Sequence, residues 1–150
     1  AKVEELRSRL GAWKKKEERL AYSLYPPGLP RGGLVEITGP GKTEAVAALL
    51  AEHGASPAAW IEQDFCLFPS ALAQRRVALD KIFFIEGKND AAWAAGLLLR
   101  SQLFPFLVYG APYGEEKELH RFQLLAERAN CTMLLLAVAL CGASPVTHSL

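Results

Sequence analysis

The stretch from Leu29 to His53, LPRGGLVEITGPGKTEAVAALLAEH, constrains this chain more than any other. A Pro-Arg-Gly-Gly turn precedes a β-branched run, Leu34 to Thr38, which glycines 39 and 41 interrupt; Lys42-Thr43 then opens an Ala/Leu-rich segment with helical spacing. The pattern predicts a strand, a tight turn and a helix. First-turn N–H groups of a helix lack intrahelical acceptors and carry the positive end of its dipole, so such a turn suits a phosphate. Gly39, Pro40, Gly41, Lys42 and Thr43 are therefore the candidate nucleotide-binding residues, with Lys42 as a point charge and Thr43 as a hydroxyl for a magnesium ion. The full pattern, G-x-x-x-x-G-K-S/T, needs a longer run between its glycines than the single Pro40 found here. Either the turn is truly short and the cradle is lost, or loop residues are missing from the recorded sequence.

Around this stretch the chain has the length and composition of one packed domain. Its 150 residues are 51% hydrophobic and 22% charged, which excludes a disordered chain. A net charge of +1 gives no global argument for nucleic-acid or membrane binding, although Lys14, Lys15, Lys16 and Arg19 form a local basic cluster. Three widely spaced cysteines, Cys66, Cys131 and Cys141, read as reduced thiols of a cytoplasmic protein. The histidines are isolated from one another, no zinc spacing occurs, and neither a signal peptide nor a bilayer-length apolar run is present.

Two divisions are expected, an N-terminal helix with its linker over residues 1–25 and an α/β core over 26–150. In the first, Val3, Leu6, Leu10, Trp13 and Leu20 recur at helical spacing and form a narrow apolar stripe among Lys, Arg and Glu. That stripe packs on its own domain or docks on another protomer or partner; in the second case Val3, Leu6, Leu10 and Trp13 are the interface residues. Tyr25 to Pro30 reads as an extended, semi-rigid spacer.

In the core, strands are expected at Ala58–Glu62, Lys81–Glu86, Phe106–Tyr109 and Thr132–Leu140, with a further edge strand at Val146–Leu150. Helices are expected from Thr43 to before Gly54, from Pro69-Ser70 to Arg76, after Asn89 or Asp90 to Gln102, and from Glu115-Glu116 to Asn130. Trp60 and Trp93 fall inside elements and are expected in the core. Alternation of strand and helix specifies an open, mainly parallel sheet covered by helices on both faces, with any ligand beyond the carboxyl ends of the strands. The glycine turn, Gln63-Asp64, Gly87-Lys88 and Gly110-Ala111 all fall on that rim.

The order LPRGGLVEITGP…GKT, AAWIEQDFCLFPSAL, LRSQLFPFLVYGAP and LLAERANCTMLLL resembles the core of the RecA family over roughly residues 29–140. Within that group, the closing helix and strand followed by GASP are most similar to the ImuA-type accessory proteins of bacterial translesion synthesis. The resemblance implies a RecA-like P-loop core, ATP and magnesium as cofactors, and a catalytic carboxylate at Asp64, with Glu62 as the nearest alternative acid. It also exposes departures. The strand that should end in a magnesium-orienting acid ends Val108-Tyr109-Gly110, the adenine-contacting positions fall at Phe68 and Ala71, and nothing polar occurs near Ala137 to Ala139.

Phosphoryl transfer depends on positioning and charge stabilisation, so these losses imply little hydrolysis. The loops after the fourth and fifth strands, Gly110–Gly114 and Gly142–Thr147, carry no Lys or Arg, which implies weak or absent direct DNA binding. The expectation is a cytoplasmic accessory protein of the DNA damage response. It would act through contacts with RecA, another such protein or a second copy of itself; the alternative is a functional RecA-family ATPase or nucleotide switch.

Overall fold

The computed structural model describes residues 19–64 and 76–136. In chain order the elements are β1 (Arg19–Leu20), β2 (Leu29–Pro30), β3 (Gly33–Ile37), α1 (Lys42–Glu52), β4 (Ala58–Glu62), β5 (Ile82–Glu86), α2 (Ala91–Ser101), β6 (Phe106–Gly110), α3 (Glu116–Ala129) and β7 (Thr132–Leu136). Short 3-10 turns precede β5 and α2. Strands β3 to β7 form one sheet in the order β3-β7-β6-β4-β5, and every neighbouring pair is parallel.

The strand sequences explain why this sheet is sandwiched. All five residues of β4, of β6 and of β7 are buried, as expected of parallel strands covered on both faces. Alternate residues then feed two cores. Trp60, Phe106, Val108, Leu134 and Leu136 pack with Val46, Ala47, Leu49 and Leu50 of α1. Ile61, Leu107, Tyr109, Met133 and Leu135 pack on the opposite face with Ala95 and Leu99 of α2 and Phe122 and Ala126 of α3. This is the period-two division of a strand between faces, and among the described residues it places α1 on one side and α2 with α3 on the other.

Residues 19–30 depart from the expected helix end and spacer. Arg19 and Leu20 pair antiparallel with Pro30 and Leu29, so the chain folds back as a hairpin. Leu20, Tyr22 and Leu29 are buried in the α1-side core. Gly28 makes the reversal with φ of +79°, where an added Cβ would stand 2.5 Å from the Leu20 carbonyl oxygen. The Arg19 guanidinium donates to the carbonyls of Pro27 (2.9 Å) and Gly28 (2.8 Å), and Tyr22 Oη donates to Ala45 O of α1 at 2.7 Å. Ser23 N–H and Oγ both donate to Glu52, holding its carboxyl below the usual range. These bonds account for a hairpin where proline content alone reads as a spacer. The expected division after residue 25 falls within its turn.

Trp93 is the other correction. It is 65% exposed, because on α2 it lies opposite Ala91, Ala95 and Leu99, the residues facing the core; Trp60, by contrast, is 1% exposed. The expected N-terminal helix with Val3, Leu6, Leu10 and Trp13, the helix from Pro69, the end of the last strand and the tail lie outside the described residues.

Candidate functional site

Because all five strands of the sheet run parallel, their carboxyl ends share one rim. The turn after β3 brings Gly39, Pro40 and Gly41 there. Gly39 (φ +86°) and Gly41 (φ +79°) are both left-handed, which explains the glycines. A Cβ on Gly39 would meet nothing within 4 Å, so it is backbone conformation, and not a close neighbour, that demands glycine here. Gly41 is the N-cap of α1 and makes no side-chain cap, while its carbonyl accepts from Ala45 N–H at 2.9 Å. Lys42 and Thr43 open the helix and are half-buried. Glu44 follows in the first turn, with Oε2 4.0 Å from the position of a Cβ on Gly41. An acid there suits the helix dipole but sets negative charge beside the place a phosphate would take.

Two strands inward of β7 lies the exit of β4. Gly87 N–H donates to Glu62 O (2.7 Å) and Lys88 N–H to Gln63 O (2.9 Å), extending the β4–β5 ladder past the strand ends. Lys88, itself at φ +51°, places Nζ 2.8 Å from Asp64 Oδ1 and 2.6 Å from Glu86 Oε1. Those hydrogen bonds, to Asp64 first, raise the lysine pKa; the group is exposed, so water screens the pairing. The candidate catalytic carboxylate is thus engaged by a cation of its own chain. Gln63 Oε1 is buried without a hydrogen-bond partner at the same exit.

Glu62 is only 9% exposed and accepts from Trp60 Nε1 at 3.2 Å. Its register partners are Glu86 on β5 and Gly110 on β6. On the α3 side of the rim, Tyr113 hydrogen-bonds Glu36 of β3, and burial followed by that carboxylate pushes its hydroxyl up to about 12. Burial likewise pushes Tyr109 up to about 12, with the Glu118 charge adding to it.

The rim therefore gathers Gly39 to Thr43, Asp64, Lys88 and Gly110 as the sequence indicates. Its internal pairings, Trp60–Glu62, Lys88–Asp64 and Tyr113–Glu36, are missed by sequence reading. Two of them join residues at least 24 positions apart, and only the strand order brings those together. A magnesium-bound triphosphate needs several loop amides, an acid at the end of the metal-orienting strand and a carboxylate at liberty to position water. One residue between the glycines and Gly110 at the strand end do not meet that need, and Asp64 pairs with Lys88 in water. Among the described residues no group of His, Cys, Asp or Glu is placed to hold a metal, and no helix is long and apolar enough to cross a membrane.

No family model matches the sequence, and no curated protein matches it. Solved structures do. SulA from Pseudomonas aeruginosa superposes with a TM-score of 0.59 at 14% identity, over 71% of this chain and 96% of SulA. The RadB recombinase superposes with a TM-score of 0.60 at 16% identity, over 74% of this chain and 64% of RadB. The fold is RecA-like α/β, a parallel sheet with helices on both faces. At such identities the likeness speaks for the fold alone.

Proposed function

We propose that this chain is a RecA-like accessory protein of the DNA damage response that acts through protein contacts and does not hydrolyse ATP. The observation that carries the reading is the rim itself: the RecA-like sheet is intact, while the strand that should end in an acid ends in Gly110, and Asp64 is held by Lys88. Its likeness to a recombinase of the same fold and the RecA-family order of its segments support the damage-response context. ImuA-type translesion mutagenesis is the finer form of the proposal, in the cytoplasm, with RecA or another damage-response protein as partner and self-association as a second contact. Direct DNA binding is weak or absent on this reading.

The amphipathic stripe of Val3, Leu6, Leu10 and Trp13 is the proposed contact surface. Leu20 and Tyr22 are packed in the core, so the test uses substitutions in the full chain in place of a truncation reaching residue 25. Leu6→Asp with Leu10→Asp should abolish association with purified RecA in a pull-down while leaving the melting temperature unchanged. Undiminished association removes the stripe from the proposal.

A further inference from the structure

An acid put back at the end of β6 would have to stand at Gly110, where the packing opposes it. A Cβ built there would stand 3.1 Å from Glu62 Cγ, 3.3 Å from Ile61 O and 3.7 Å from Glu62 Oε1. The first two separations are tighter than ordinary van der Waals contact, and one is to backbone, which cannot swing aside. Glu62 lies over Gly110 for a reason visible in the register. Its neighbour on the β5 side is Glu86, a like charge that Lys88 engages, whereas on the β6 side Gly110 offers no side chain at all. Leaning towards β6, the carboxylate reaches the indole N–H of Trp60 on the same face and is almost fully withdrawn from water.

We propose that Glu62 leans into the space an acid at the end of β6 would need, so that a magnesium-orienting side chain restored there has to displace Glu62 and face its charge. A carboxylate added at 110 would project from a Cβ already 3.7 Å from Glu62 Oε1. Two carboxylates so close oppose each other's ionisation. Glu62 and Gly110 are thus one interlocked pair, and an acid restored at 110 alone costs stability. This rests on the non-hydrolysing reading and deepens it, by naming the residue that opposes the missing acid.

A double-mutant cycle on the full chain tests the interlock. Gly110→Ala should lower the melting temperature in the parent and should cost less than half as much in a Glu62→Ala background, the remainder arising from Ile61 O. Equal costs in the two backgrounds overturn the proposal. In parallel, a fluorescent ATP analogue is titrated with and without magnesium against Gly110→Asp and against Glu62→Ala/Gly110→Asp. Gly110→Asp should be less stable than the double variant and show no magnesium-dependent affinity. A stable Gly110→Asp protein that gains magnesium-dependent affinity overturns the inference, and the double variant keeps the stability comparison decisive should the single one fold poorly. ATP hydrolysis by the parent protein would sink the accessory-protein reading while leaving the interlock to be judged by the cycle.

Discussion

Gln123 is where one substitution reports on the edge of the sheet that carries the glycine turn. Strand β3 pairs with β7 alone among the described residues, and on its other side the Leu34 N–H donates to Gln123 Oε1 at 3.0 Å. The amide nitrogen of the same side chain donates to Glu127 at 2.7 Å and lies 3.0 Å from where a Cβ on Gly33 would stand. Gln123→Ala leaves a half-buried N–H without its acceptor. A lost hydrogen bond costs about 1 kcal/mol net and an orphaned buried donor about 1–3; at this part-buried site the lower end applies, about 1 kcal/mol. For a chain of this size that is a fall of roughly 2–4 °C in melting temperature. Gln123→Glu separates the contributions. It keeps the acceptor for Leu34 but sets a like charge one turn from Glu127, a penalty of about 0.2–0.5 kcal/mol. Thermal unfolding with amide exchange at Leu34 is the assay: protection should be lost in Gln123→Ala and kept in Gln123→Glu. Unchanged protection in Gln123→Ala would refute this account of how the edge is satisfied.

Thr132 is fully buried and its Oγ1 donates to Pro30 O at 2.8 Å, tying the hairpin to β7; Thr132→Val should cost about 1 kcal/mol by thermal unfolding, because the part-buried carbonyl loses its donor. Trp93→Ser should leave stability within about 0.5 kcal/mol of the parent despite removing an indole, since the side chain is mostly in water; a loss of several kcal/mol would place it in a core. Burial pushes the Cys131 thiol from 9.0 up to about 12. With Cys66 and Cys141 changed to Ser, Cys131 should therefore resist Ellman's reagent at pH 8 until the protein unfolds. The raised value also means that its contribution to stability is complete below the unfolded value of 9.0 and is lost as pH rises towards 12. A Cys131→Ala variant should accordingly lose less stability than the parent between those limits.

The sheet was legible because its strands announce themselves. KIFFIE, FLVYG and TMLLL are short apolar runs between glycine, proline and helical segments, and α/β alternation leaves few ways to connect them. Lys42–Glu52, Ala91–Ser101 and Glu116–Ala129 match the helical segments read from spacing, from the Asn89 or Asp90 cap and from the acids at Glu115-Glu116. Residues 19–30 were misread because Leu20 continues the period of the upstream stripe, while the bonds that turn it into a strand come from Pro27, Gly28 and α1, distant partners that local pattern does not display. Trp93 was misread for a related reason. An indole in an Ala-rich helix looks internal, and only the placement of Ala91, Ala95 and Leu99 against the sheet shows that its face is the outer one. At the rim, residue types and their shared location were readable, but the partners of Glu62, Asp64 and Tyr113 were not. Those depend on β4 lying between β5 and β6, and on the loop after β6 reaching back to β3.

The account stands on a RecA-like sheet whose rim is tied up in its own side chains. Release of inorganic phosphate from ATP, measured with magnesium on the purified full chain and on Lys42→Ala, tests it most directly. The two proteins should be indistinguishable from each other and from buffer. Phosphate release by the parent chain that disappears in Lys42→Ala would contradict it.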